Sequence, residues 1–217
     1  ALALSKEHIF SGCGDNHIYV HDKETQQELR KLSGHQDYVH SLKLADNGTR
    51  NALLYSSSED GSVRVWDLRT PDSAINVVLP FKNASVERTH FGKWIRALDV
   101  APNGEWLLCG GGPRLSVWHL RTNNCVRIID TSSHVTHVAQ YLPNDASSIV
   151  HAGNSGHVSF WRAANQTPII DRIESSIENV YSITHHHYDE LGDYRLTTFS
   201  GDSFKIELCK NGKFIDF

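Results

Sequence analysis

The chain has 217 residues, 39% apolar and 21% charged, a balance that permits a sizeable buried core and is ordinary for a soluble globular protein. Its formal net charge of -4 gives no general attraction to nucleic acid or anionic membranes, and no apolar run approaches the roughly 18 residues of a membrane span. Cys13, Cys109, Cys125 and Cys209 stand far apart without a CxxC pair, which argues against a zinc site or disulfide framework and makes a reducing compartment the default.

The chain opens on ALALSKEHIF, with neither an initiator Met nor a basic leader, and reads as a fragment. Short strands are expected over residues 1–4, 9–13, 18–21 and 28–32, with Gly14-Asp15-Asn16 as a hairpin. Residues 34–69 are the most complete unit. Gly34-His35 opens it, Tyr38, His40, Leu42 and Leu44 mark an alternating strand, and Leu53-Leu54-Tyr55 run into Ser56-Ser57-Ser58. Asp60-Gly61 then turns the chain into Val63-Arg64-Val65-Trp66-Asp67, because Asp bonds its own backbone and Gly accepts positive φ. A GH start, an Asp-Gly hairpin and a terminal Trp-Asp resemble a WD40 propeller blade. That resemblance implies a structural hydrogen-bonded set of His35, Ser56 or Ser57, Asp60 and Trp66.

An outer strand is expected over residues 75–79, and the polar run 82–88 is expected to be a surface loop. In residues 90–121, Trp94, Ile95, Leu98 and Val100 predict an inner strand, residues 106–109 a middle strand and 115–118 a third, with Pro102-Asn103-Gly104 as a turn. Gly110-Gly111-Gly112-Pro113 lacks the following Lys-Ser/Thr and helix of a phosphate loop, so the glycines are read as places of close backbone approach. Strands follow over 134–138, 148–152, 158–161 and 169–173, with Asn154-Ser155-Gly156 as a hairpin. A last set is expected over 180–183, 195–199, 204–208 and 214–217. His185, His186 and His187 fall in the connection after residue 183; His185 and His187 share a face but need a third ligand to hold a metal.

His21, Trp66, Trp118, Trp161 and Leu208 close successive third strands and recur every 43 to 52 residues, the spacing of a repeat architecture. The fold class is all-β: a single WD40 β-propeller domain with five four-stranded blades over residues 1–33, 34–82, 89–130, 131–173 and 174–217. Ser, His and Asp are plentiful, but His35 and Asp60 belong to the blade and Ser56–Ser58 end a strand. No catalytic constellation emerges, and no enzyme activity, cofactor, metal or small-molecule substrate is expected.

GKWI at 92–95 and CGGGPRLSVWHLR at 109–121 are less common than blade matches, and with residues 34–44, 59–70 and 198–217 they resemble the THO complex subunit 6 family. The resemblance implies a seven-bladed ring whose N-terminal portion is absent from this chain. It also implies a nuclear, non-catalytic scaffold of the transcription–export complex, supporting mRNA processing and export. Its partners would be other THO subunits, notably coiled-coil subunits 5 and 7, with RNA contacted indirectly or weakly and no membrane. Lys93, Trp94, Arg96, Arg114, His119 and Arg121 lie in or beside the distinctive motifs and are candidate partner-binding residues. Two other classes share the generic features: an adaptor of another pathway, such as a ubiquitin-ligase substrate receptor, and an RNA-binding module, for which Arg96, Arg114 and Arg121 form too little continuous basic pattern.

Overall fold

Five four-stranded antiparallel meanders make up the computed structural model, which describes residues 1–45, 53–70, 73–87, 90, 92–131, 134–143, 145–162, 171–188, 194–210 and 213–214. The first sheet holds Leu2–Leu4, His8–Gly12, His17–Asp22 and Glu28–Ser33, and the second Val39–Ala45, Leu53–Ser58, Val63–Asp67 and Asn76–Val78. The third is built from Ala97–Val100, Trp106–Gly111, Arg114–His119 and Asn124–Asp130. Thr136–Leu142, Asp145–Gly153, His157–Arg162 and Asp171–Glu174 form the fourth. Val180–Tyr188, Tyr194–Gly201, Glu207–Lys210 and Lys213–Phe214 form the fifth. Within each sheet the strands pair in chain order, and the first, inner strands of neighbouring sheets touch one another from the first sheet to the fifth.

In the inner three sheets both faces are covered by neighbours, so adjacent residues of one middle strand pack on opposite sides. In the third sheet Leu107 packs toward the second sheet, with Tyr55, Val63 and Val65, while its neighbour Leu108 packs toward the fourth, with Ala139, Tyr141 and Ile149. Four apolar clusters thus fill the four gaps between five sheets. Phe10, Ile18 and Leu32 meet Leu42, Leu54 and Trp66 in the first gap, and Val150, Val158 and Phe160 meet Val180, Ile183 and Phe199 in the last. The turn leading into the third strand repeats as well: Asn16, Gly61, Gly112 and Gly156 all adopt positive φ there.

Several expectations need correction. The inner strand of the third sheet begins at Ala97, not Trp94, because the Ile95 N–H donates to the Ser58 carbonyl of the second sheet at 3.1 Å and holds the approaching chain across that sheet. The third strand of the fifth sheet begins at Glu207, since the Glu207 carboxylate is held by the Ser175 hydroxyl at 2.6 Å and the Ser176 N–H at 2.7 Å; Phe204 and Ile206 are left exposed. His185–His187 lie inside the inner strand, which runs on to Tyr188 and pairs with Tyr194–Gly201. The run 82–88 is not wholly a surface loop: Pro80–Lys82 form a 3-10 turn and Val86 is buried in the cluster between the second and third sheets. Residues 88, 169–170 and 215–217 of the expected segments lie outside the described residues.

Candidate functional site

The second sheet holds a buried polar relay whose direction is set by its ends. Trp66, only 1% exposed, can only donate, and its Nε1–H meets Ser56 Oγ at 2.9 Å. Ser56 Oγ then lies 2.7 Å from His35 Nε2, and His35 Nδ1 lies 3.0 Å from Asp60 Oδ2, a carboxylate that only accepts. With a neutral His35 ring, Ser56 donates to Nε2 and the proton sits on Nδ1, which faces Asp60 and, at 3.1 Å, the Ser62 hydroxyl. Ser62, which sequence reading missed, joins through its hydroxyl and N–H to Asp60 at 2.6 and 2.8 Å, while the Gln36 N–H donates to Asp60 at 2.9 Å. Burial by itself would raise the Asp60 pKa, but the bonds from His35, Ser62 and Gln36 outweigh it and hold the carboxyl well below its usual range. Ser57 stays outside the relay, its buried hydroxyl without a partner among the described residues. His35 and Asp60 are thus occupied in holding the sheet together.

The strand register divides the six motif residues between two ends of the molecule. Gly111 pairs with Arg114 at the end where the inner strands start, and Trp106 pairs with His119 at the end where they finish. Lys93, Trp94, Arg96 and Arg114 belong to the first end, and His119 and Arg121 to the other. Trp94 is half-buried against Gly111, where a Cβ would overlap its six-membered ring, so GKWI and CGGG form one packing unit. Gly61, at φ 81°, gives the Asp60 turn its close approach to Lys93 and Phe81. Arg114 clamps the preceding segment, donating to the carbonyls of Ser85 at 3.2 Å and Glu87 at 2.9 Å. His119 bonds the Thr122 hydroxyl at 3.0 Å beside the Trp106 ring, and Arg121 is exposed.

At the starting end a cavity of about 300 Å³ is lined by His40, Arg96, Gln140, His137 and Tyr181. His40 is paired with Glu59 at 2.6 Å. Arg96 instead meets His137, which burial and then the Arg96 charge hold to a lowered pKa; the neutral ring accepts the Arg96 N–H at Nδ1, 3.3 Å away. The Lys93 ammonium lies over the Phe81 ring, 5.5 Å from its centre. Neither Lys93 nor Arg96 has a carboxylate partner among the described residues, and Tyr38 and Tyr181 stand exposed on the same end. Sequence reading did not single out Tyr38, His40, His137 or Tyr181 for binding: Tyr38 and His40 served only as members of an alternating strand, and the stacking of separate sheets is what brings the four to one end.

Toward the other end a second cavity, of about 460 Å³, contains Lys43, Asp99, Tyr141 and His185. Asp99 joins three inner strands: Lys43 of the second sheet lies 2.6 Å from one oxygen, and the Tyr141 N–H of the fourth donates to the other at 2.7 Å. Burial still pushes its carboxyl above the usual range, since Lys43 and the hydrogen bonds offset only part of the desolvation. A lone Asp inside the apolar run Ala97–Val100 was the signal available in the sequence. His185 Nδ1 lies 3.0 Å from the Thr197 hydroxyl, the His187 side chain is outside the described residues, and no group of three metal-ligating side chains occurs among those described.

Comparison with known proteins agrees with this geometry. The family model for the WD domain, G-beta repeat, matches residues 26–67 and 83–119. THO complex subunit 6 of Homo sapiens is 31% identical over 212 residues, which cover 97% of this chain and 58% of that protein. The THO complex subunit 6 homolog of Danio rerio is 38% identical over 203 residues, 94% of this chain and again 58% of the relative. This chain therefore spans little more than half the length of the relatives it matches. A chain in the crystal structure of the mitotic checkpoint complex superposes with a TM-score of 0.74 over 95% of this chain and 59% of its own, at 18% identity, a likeness of fold alone. The chain is a WD-repeat protein and, along nearly its whole length, a relative of THO complex subunit 6.

Proposed function

We propose that this chain is the propeller scaffold of a THO complex subunit: a non-catalytic, nuclear protein that binds other subunits of that complex, the coiled-coil subunits 5 and 7 among them, and so supports mRNA processing and nuclear export. The observation that carries the reading is the similarity to THO complex subunit 6 over 94–97% of the chain. The five sheets act as one domain, and the remaining length of the relatives supplies the blades that complete a ring. Partner contact is assigned to the end where the inner strands start. Two cations without carboxylate partners among the described residues, Lys93 and Arg96, stand there beside exposed Tyr38 and Tyr181, and aromatic and Arg side chains are the usual anchors of interfaces. RNA contact is indirect or weak, since the same end also carries Asp37 and Glu59 and offers no continuous basic track among the described residues.

A pull-down from full-length protein tests this. It should recover the coiled-coil THO subunits, and Arg96→Glu combined with Tyr181→Ala should weaken recovery at least tenfold, whereas Arg121→Glu at the opposite end should leave it unchanged. Failure of the folded protein to bind any THO subunit at low and physiological salt would defeat the partner assignment. Equal loss from both variants would defeat the choice of face.

A further inference from the structure

The fourth sheet has the strand register of the second but a different interior. Trp161 lies opposite Ile149 as Trp66 lies opposite Leu54, so His151 stands at the position of Ser56, and Ser155 and His157 at those of Asp60 and Ser62. The relay carboxylate is gone, and a bulky ring replaces the hydroxyl that receives the indole N–H. His151 and Trp161 are each 8% exposed, and neither His151 Nε2 nor Trp161 Nε1 has a hydrogen-bond partner among the described residues. The third sheet faces a similar loss, with Cys109 at the Ser56 position, but satisfies its indole: Trp118 Nε1–H donates to Ser116 Oγ at 2.8 Å. The fourth sheet has the matching Ser159, yet Trp161 remains without a bond.

His151 and Trp161 both line one cavity of about 60 Å³, which Thr131, Ser155 and Ser159 also line. Its size limits the occupant. Pockets for organic ligands begin at about 300 Å³, whereas a water needs only about 10–15 Å³ of accessible volume. The two ring centres are 6.0 Å apart, and buried polar groups in folded proteins are bonded either to protein or to ordered water. Burial, and then the charges of Arg172 and His134, lower the His151 pKa to about 4, so the imidazole is neutral near pH 7. A neutral imidazole presents either a donor or an acceptor at Nε2, and water answers both, whereas an anion requires donors alone.

We propose that the interior of the fourth sheet is a solvent-binding site in which ordered water bridges the Trp161 indole N–H to His151 Nε2, taking the place of the Ser56 hydroxyl in the second sheet. The hydroxyls lining the cavity supply the remaining bonds of a buried water, which typically makes about three.

The test is a high-resolution crystal structure of the full-length protein, with a bromide soak of the same crystals. A water should lie about 2.7–3.2 Å from both Trp161 Nε1 and His151 Nε2. A dry cavity, a His151 ring turned to bond a protein atom, or an anomalous bromide peak in place of the water would each overturn the assignment. In solution, the Trp161 indole proton, identified by its loss in Trp161→Phe, should exchange magnetisation with a long-lived water, whereas the Trp66 proton, which donates to Ser56, should not. An observed Trp161 signal without that transfer would equally refute the site.

Discussion

Substituting Trp66 separates packing from hydrogen bonding in the second sheet. The side chain is 1% exposed, and truncating a buried aromatic to Ala costs about 3–5 kcal/mol from lost transfer energy and cavity formation. Trp66→Phe keeps much of the ring but removes the N–H that meets Ser56 at 2.9 Å. Ser56 has committed its own proton to His35, so its oxygen is left buried without a donor, an omission worth about 1–3 kcal/mol beyond the packing loss. Trp161→Phe provides the comparison. Its N–H has no protein partner among the described residues, so the polar part of its loss should stay under about 1 kcal/mol, the difference between orphaning a protein acceptor and releasing a solvated donor. Urea unfolding of the full-length variants measures both, provided the m-values match wild type. Equal losses for the two Phe variants, or a Trp66→Ala loss below about 1 kcal/mol, would refute the relay as a source of stability.

The remaining expectations concern other parts of the molecule. Because the Asp60 pKa is depressed on folding, its contribution is complete above about pH 4 and is lost as pH falls through the lower, folded-state value; Asp60→Asn should flatten the acid limb of a stability–pH profile, and an unchanged limb would contradict the assignment. Lys43→Ala strands Asp99, only 3% exposed, without its cation and should cost about 2–3 kcal/mol, less than a fully buried pair because Lys43 reaches solvent. Asp99→Asn should cost less, since an amide oxygen still accepts the Tyr141 N–H; denaturation showing the reverse order would sink this account. Gly111→Ala should expel the Trp94 ring and shift tryptophan emission to the red, and an unshifted spectrum would argue against that packing. The 217-residue chain alone should self-associate in light scattering through Leu2 and Leu4 of the first sheet and Phe204 and Ile206 beside the fifth; a monodisperse, cooperatively unfolding monomer would overturn this.

Much of the architecture is legible in the chain because a propeller blade is a local object. Asp60-Gly61 makes its own turn, Leu53–Ser58 and Val63–Asp67 pair across it, and Trp66 recurs as Trp118 and Trp161 at the blade period, so strand order follows from residues near one another in sequence. Strand ends are less local. Ile95 is held by the Ser58 carbonyl of the second sheet and Glu207 by Ser175 and Ser176 of the connection between the fourth and fifth sheets, bonds that no alternation pattern encodes. The same limit applies to the candidate face. GKWI and CGGG are visible as unusual text, but the Trp94 ring lying on Gly111 is a contact across 17 residues, and only the strand register separates Arg114 from Arg121 into opposite ends of the molecule. Arg96 meeting His137, Asp99 joining Lys43 to Tyr141, and the orphaned His151 and Trp161 depend on how adjacent sheets stack and on which ring fills a position made for a hydroxyl. Side-chain volume and partner distance, set by packing between sheets, decide those features, while hydrophobic period and turn chemistry, set within each sheet, decide the fold.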